Sequence, residues 1–211
     1  MMPSLPALAK HALAPLAGVL AIAALSACST TSKPPLTTAQ AAEAQRNEAQ
    51  HLFDQAQSFT AGEQYDDAIN LYKRAVSIDP KNMLAWYYLG VICNHQQRYA
   101  EAVEAWRVAA DIAPMDPRPY FALGLQYQEL GMYGDAAACY DRSLEAQSDY
   151  LPALKKSVEV DQLNDNYTDV TLKRINLALL RETDPKWVYF LRMTQLKTQE
   201  RVSRAGGSTG H

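Results

Sequence analysis

The chain is poor in the residues that build reactive centres. Its 211 residues include four histidines and three cysteines. His11, His51, His95 and His211 are isolated, none with a second ligand at a metal-binding spacing, so no metal is expected. There is no glycine-rich phosphate loop, nucleophile elbow or paired-cysteine redox motif. Acidic pairs such as Asp66-Asp67 fall in turns, where capping and solvation account for them. No catalytic residue, cofactor or small-molecule substrate is therefore expected. An excess of basic charge is also missing. Lys and Arg number 20 against 23 Asp and Glu, and no basic stripe interrupts that balance, which argues against nucleic acid as a partner. From Thr37 to Leu196 there is no stretch of period-two alternation, and helical spacing dominates, so the chain reads as all-α. The uncharged run Ala12 to Leu25 contains Pro15 and Gly18 and falls short of the roughly 20 apolar residues that a spanning helix needs.

That run has the build of an export signal instead. Lys10 and His11 precede it, and it ends at Leu25-Ser26-Ala27-Cys28, directly before Ser, Thr and Pro. The four residues resemble the lipobox of bacterial lipoproteins: a leucine, two small residues, then Cys. The resemblance implies that 1–27 is a signal peptide cut before Cys28, whose thiol carries a diacylglyceryl group and whose new amino group is acylated. Two or more chains give stable anchoring, since each buried methylene contributes about 0.8 kcal/mol. Ser29 rather than an acidic residue next to Cys28 suits an outer-membrane lipoprotein facing the periplasm. Removing 1–27, whose one charged residue is Lys10, moves the net charge from −3 to about −4. Residues 28–37 read as a Ser/Thr/Pro tether.

The organising feature is a period of 34. Tyr65, Tyr99, Tyr133 and Tyr167 recur at that interval, as do Ala68, Ala102 and Ala136, and Pro80 and Pro114. The closest unit, "AWYYLGVICNHQQRYAEAVEAWRVAADIAP", places Trp86, Leu89, Gly90 and Cys93 on one helical face and Ala102, Trp106 and Ala109 on another. Period and residues together resemble the tetratricopeptide repeat, a helix-turn-helix unit. The resemblance implies a solenoid of antiparallel helix pairs: three units over 38–148, a degenerate fourth over 149–182, a capping helix over 183–204 and a disordered tail over 205–211. Ala68, Tyr72, Trp86, Leu89, Gly90, Ala102, Trp106, Tyr120, Gly124, Ala136 and Tyr140 are the expected packing residues. The fourth unit keeps Leu154, Val158, Tyr167 and Leu177 but puts Asp161 and Arg174 at expected core positions. Cys93 and Cys139 fall on helices that are not nearest neighbours, and read as buried thiols.

In this family the first helix of each unit lines a concave groove. Carried onto this register, the groove residues are Phe53 and Gln57; Tyr87, Val91, Asn94 and His95; Arg118, Phe121, Leu125 and Gln128; and, from the degenerate unit, Lys155, Glu159 and Gln162. Phe53, Tyr87 and Phe121 repeat at 34, a ladder of rings that either faces the groove or packs on neighbouring helices. The resemblance implies a protein partner that offers a peptide segment, and a non-catalytic scaffold in the cell envelope. Pilus or secretion-pore assembly is the setting of similarly laid-out lipoproteins. An adaptor of cell-wall (peptidoglycan) enzymes is the second reading. A third, an enzyme of unknown type, is disfavoured by the missing constellation.

Overall fold

The computed structural model describes residues 37–207. The Cys28 lipidation, the signal segment, the tether before residue 37 and the last four residues lie outside that span. Among the described residues there are nine helices and no strands: α1 Thr38–Ala61, α2 Tyr65–Ile78, α3 Met83–His95, α4 Tyr99–Ile112, α5 Pro117–Glu129, α6 Tyr133–Ala146, α7 Leu151–Leu163, α8 Asp169–Leu179 and α9 Pro185–Gly207. None of them is long and apolar enough to cross a membrane. Local chemistry sets several of the starts. Thr37 and Gln40 close a reciprocal capping box on α1, and Thr168 does the same with Thr171 on α8. Asp116 caps α5 by accepting from the Arg118 N–H at 2.9 Å, with proline in the first turn. Asp184 caps Lys186 N–H at 2.9 Å, where α9 opens with Pro185.

The turns carry the period most faithfully. Glu63, Gln97, Gly131 and Asp165 are spaced by 34, and each has a positive φ, of 59°, 59°, 73° and 53°. At each the following N–H reaches five residues back: Gln64 to Phe59, Arg98 to Cys93, Met132 to Tyr127 and Asn166 to Asp161, at 2.8–2.9 Å. This left-handed closure satisfies carbonyls at the end of the preceding helix and fixes the angle at which the chain re-enters.

Inside each of the first three helix pairs a large buried ring on the second helix accompanies small residues. Tyr72, Trp106 and Tyr140 are buried, as are Ala68, Ala102 and Ala136. A Cβ at Gly90 would lie 2.5 Å from Trp106 Nε1, and one at Gly124 2.5 Å from Tyr140 Cε1, so only glycine allows these approaches. Leu89 is buried as well. Trp86 packs against the core as expected although it is half-buried, and Tyr120 is half-buried as well. Each sits in the first turn of its helix: the Trp86 indole N–H donates to the Pro80 carbonyl at 3.0 Å, and Tyr120 lies beneath the Arg142 guanidinium.

The fourth unit is a full helix pair whose first helix keeps the 34-residue register and whose second helix is displaced by one residue. Its buried positions on α8 are Thr171, Ile175 and Ala178, which lie 35 residues after Ala136, Tyr140 and Ser143. The loop between Asp165 and Thr168 takes up the difference. Leu177, expected in the core, is therefore 41% exposed, and Ile175 takes the slot that a 34-residue count gives to Arg174. Arg174 sits beside the core, pairing with buried Asp161 at 3.1 Å and with Asp141. Asp161 also accepts from Thr171 Oγ1 at 2.8 Å and from Asn166 Nδ2 at 3.1 Å. α9 turns Leu191, Thr194 and Thr198 inward and leaves Tyr189, Met193 and Leu196 as an exposed apolar stripe, so its outer face is less polar than a water-facing cap requires. The helix also continues to Gly207, past the expected boundary at 204.

Candidate functional site, a recess between α3 and α5

The ladder of aromatics is broken at its first rung. Phe53 is 6% exposed, packed edge-on against Tyr72 and covered by Tyr88 from the next unit, with ring centroids 5.8 and 5.9 Å away. It belongs to the core and offers no groove surface. The residue that covers it explains why Tyr87 and Phe121 differ. The counterpart of Tyr88 one repeat on is Ala122, and two repeats on it is Lys156. Where Tyr88 closes the gap between α1 and α3, the methyl of Ala122 leaves open the gap between α3 and α5.

That gap is a recess of about 210 Å³. Tyr87, Val91 and Asn94 from α3 form one wall, and Phe121, Leu125, Gln126 and Glu129 from α5 the other, with Ala122 and Trp106 at its base. Burial raises the Tyr87 phenol above its ordinary pKa. The Arg118 guanidinium stacks over the Tyr87 ring at 5.4 Å and is engaged by Asp116 at 2.6 Å. Hydrogen bonds from Arg118 hold the Asp116 carboxyl below the usual carboxylate range. Phe121 is a shared wall, since its other side joins Leu151, Lys155, Lys156 and Trp187 around a second recess of about 220 Å³. Lys155 lies 4.4 Å from the centre of the Trp187 ring and pairs with Glu182 at 2.5 Å. Glu159 pairs with Lys156 at 2.8 Å.

The recess thus brings together five of the expected groove residues, Tyr87, Val91, Asn94, Phe121 and Leu125. Gln128 is outside it, because its Oε1 accepts from the Tyr140 hydroxyl at 2.7 Å and ties α5 to α6. His95 is turned towards the first unit, its ring 4.5 Å from that of Tyr65. Gln57 is exposed beside buried Phe53. Sequence reasoning missed Gln126 and Ala122, one because it sits at a packing position and the other because its effect is the space that it leaves.

A larger recess, of about 520 Å³, lies between α2, α3 and α4. It opens because Cys93 stands where the neighbouring units have Phe59 and Tyr127. Its walls are mostly apolar, Val76, Pro80, Trp86, Leu89 and Ala105; Ser77 and Glu104 also line it, but the Ser77 hydroxyl already donates to the Arg74 carbonyl at 2.7 Å, and Lys73 and Glu101 are paired at 2.7 Å. Volume alone therefore does not make it the candidate. Burial pushes the Cys93 thiol up and that of Cys139 to about 11, and both thiols are free, so neither offers a ready thiolate. Among the described residues, no three histidine, cysteine or acidic side chains gather into a metal site.

Two family models, each described as a tetratricopeptide repeat, match residues 53–117 and 117–150. The peroxisomal targeting signal receptor of Candida albicans is 34% identical over 79 residues, 37% of this chain and 13% of that protein. Superkiller complex protein 3 of Homo sapiens is 27% identical over 134 residues, 57% of this chain and 9% of the relative. The chain thus spans a small part of the length of these relatives. Among solved structures, a tetratricopeptide repeat protein from Parabacteroides merdae superposes with a TM-score of 0.63 at 17% identity, covering 74% of this chain and 61% of its own. The first repeat domain of Spaghetti, bound to the HSP90 peptide SRMEEVD, gives 0.54 at 19% identity over 57% of this chain and 95% of its own. The 34-residue period agrees with the family models: residues 53–150 are tetratricopeptide repeats, and the described chain is an all-α solenoid built on them.

Proposed function

We propose that this protein is a membrane-tethered, non-catalytic scaffold of the cell envelope, which holds a partner protein by a peptide segment seated in the α3–α5 recess. The observation that carries the binding half is the recess itself. Ala122 leaves Tyr87 and Phe121 half-buried and facing a common space, the arrangement that suits apolar anchors of an extended or helical segment. The Spaghetti domain holds a peptide on the same fold, which supports a peptide as the kind of partner. The tethering half rests on Leu25-Ser26-Ala27-Cys28, and Ser29 favours an outer-membrane lipoprotein facing the periplasm. Pilus or secretion-pore assembly is the proposed setting.

Ala122→Tyr tests the binding half without emptying the core, because it copies the tyrosine that already closes the preceding gap at position 88. The variant should keep the parent's melting temperature and lose the partner proteins that co-purify from detergent extract. An unchanged partner list sinks the groove assignment. For the tether, Cys28→Ala should abolish incorporation of a fatty-acid probe, and a labelled variant would contradict the anchor.

A further inference from the structure

Two side chains in the α3–α5 recess each carry a buried oxygen that the fold leaves without a donor. Gln126 is 2% exposed and occupies the position that the adjoining units give to buried Ile92 and Val160, each 34 residues away. Its Oε1, and Oδ1 of Asn94 across the recess, are buried with no hydrogen-bond partner. An aliphatic side chain serves that position in the neighbouring units, and a buried acceptor without a donor is a cost that native proteins seldom carry without a reason. Glu129 adds a carboxylate on the same wall. Asn94, Gln126 and Glu129 all lie in the last turns of α3 and α5, where the helix ends carry partial negative charge. The cation nearest this recess is already committed, Arg118 to Asp116 at 2.6 Å, and the His95 ring rests against Tyr65. The remaining walls, Tyr87, Phe121, Trp106 and Leu125, are aromatic or aliphatic, and about 210 Å³ gives room for a single long side chain.

Resting on the peptide-binding reading above, we infer that the recess takes one arginine or lysine side chain of the partner, its stem against Tyr87 and Phe121 and its N–H groups on Asn94 Oδ1, Gln126 Oε1 and the Glu129 carboxylate. A long cationic side chain is the ligand that satisfies acceptors and apolar walls together, since it buries its methylenes while its head makes charge-assisted hydrogen bonds. An acidic segment would meet Glu129 and two helix C-termini of its own sign.

The probe is a phage-displayed random heptapeptide library, panned on the full-length chain in detergent and counter-selected on Ala122→Tyr. Enriched peptides should share one Arg or Lys, and replacing it by citrulline or norleucine should weaken binding about tenfold, as expected for loss of a charge-assisted bond. Glu129→Gln, at an exposed position, should weaken binding several-fold without moving the melting temperature. Gln126→Leu should weaken binding and raise the melting temperature, an opposition that a merely structural glutamine would not produce. Neutral or acidic consensus peptides overturn the inference, as does binding indifferent to Glu129→Gln and Gln126→Leu. Peptides of that kind that still avoid Ala122→Tyr leave the groove standing and remove only the cation. A library with no preference for the parent over Ala122→Tyr overturns the groove and this inference together.

Discussion

The first three units and the fourth are built from the same turn and held by different cores. Residue 165 keeps the left-handed φ of residues 63, 97 and 131, and Asn166 N–H makes the same five-residue return bond. Beyond the turn the units diverge. In the earlier units a ring on the second helix fills against alanine or glycine on the first, whereas in the fourth Ile175 has slipped into the ring's place and a charged network of Asp161, Arg174 and Asp141 lies alongside. The turn therefore specifies the path of the chain, and the core specifies how firmly the unit is held. A repeat survives a register slip of one residue when the displaced polar groups find each other.

The largest effect expected from breaking this comparison is at Trp106. Trp106→Ala should cost about 3 to 5 kcal/mol, by loss of a buried ring and the cavity left beneath Gly90. Trp86→Ala, at a half-buried ring in the wall of the larger recess, should cost less, and chemical denaturation of both variants gives the ranking. Next comes the charged network. Arg174→Ala leaves 3% exposed Asp161 without its cation and should destabilise by about 3 kcal/mol, while Asp161→Leu combined with Arg174→Met removes both buried charges and should cost less, the remainder coming from the Thr171 and Asn166 donors that lose their acceptor. If the single and double variants melt alike, the network does not hold the fourth unit. Gly90→Ala should cost about 1 to 3 kcal/mol, because its methyl would overlap the indole of Trp106. The smallest effect lies in the shared turn, where Gln97→Gly should change stability by less than about 1 kcal/mol. Relief of the left-handed backbone is nearly offset there by the greater freedom of glycine in the unfolded chain.

How much of this was legible follows the same division. The period was plain in Tyr65, Tyr99 and Tyr133 and in the alanines three residues later, because turn geometry and close helix contact restrict those positions strongly. Capping of α1 by Thr37 and of α9 by Asp184 was legible for the same local reason. The slip in the fourth unit was hidden, since Tyr167 still falls at 34 although it now precedes α8. Phe53 was misplaced because its burial depends on Tyr88, a residue of another unit whose counterparts are Ala122 and Lys156. Gln126 was passed over because helical spacing put it inward, and only the unpaired oxygen marks it as unusual. Properties of one unit could be read along the chain, whereas those that arise between units required the packing.

The proposed partner sits between α3 and α5 and not in the larger recess on the other side of α3. Photocrosslinking tests it most directly: a photoreactive amino acid replaces Leu125 on one wall of the smaller recess or Glu104 at the larger one, and the adducts are compared on intact membranes. Adducts from position 125, lost when Ala122→Tyr is added, with none from position 104, are the result that this account predicts. Adducts from position 104 alone would contradict it.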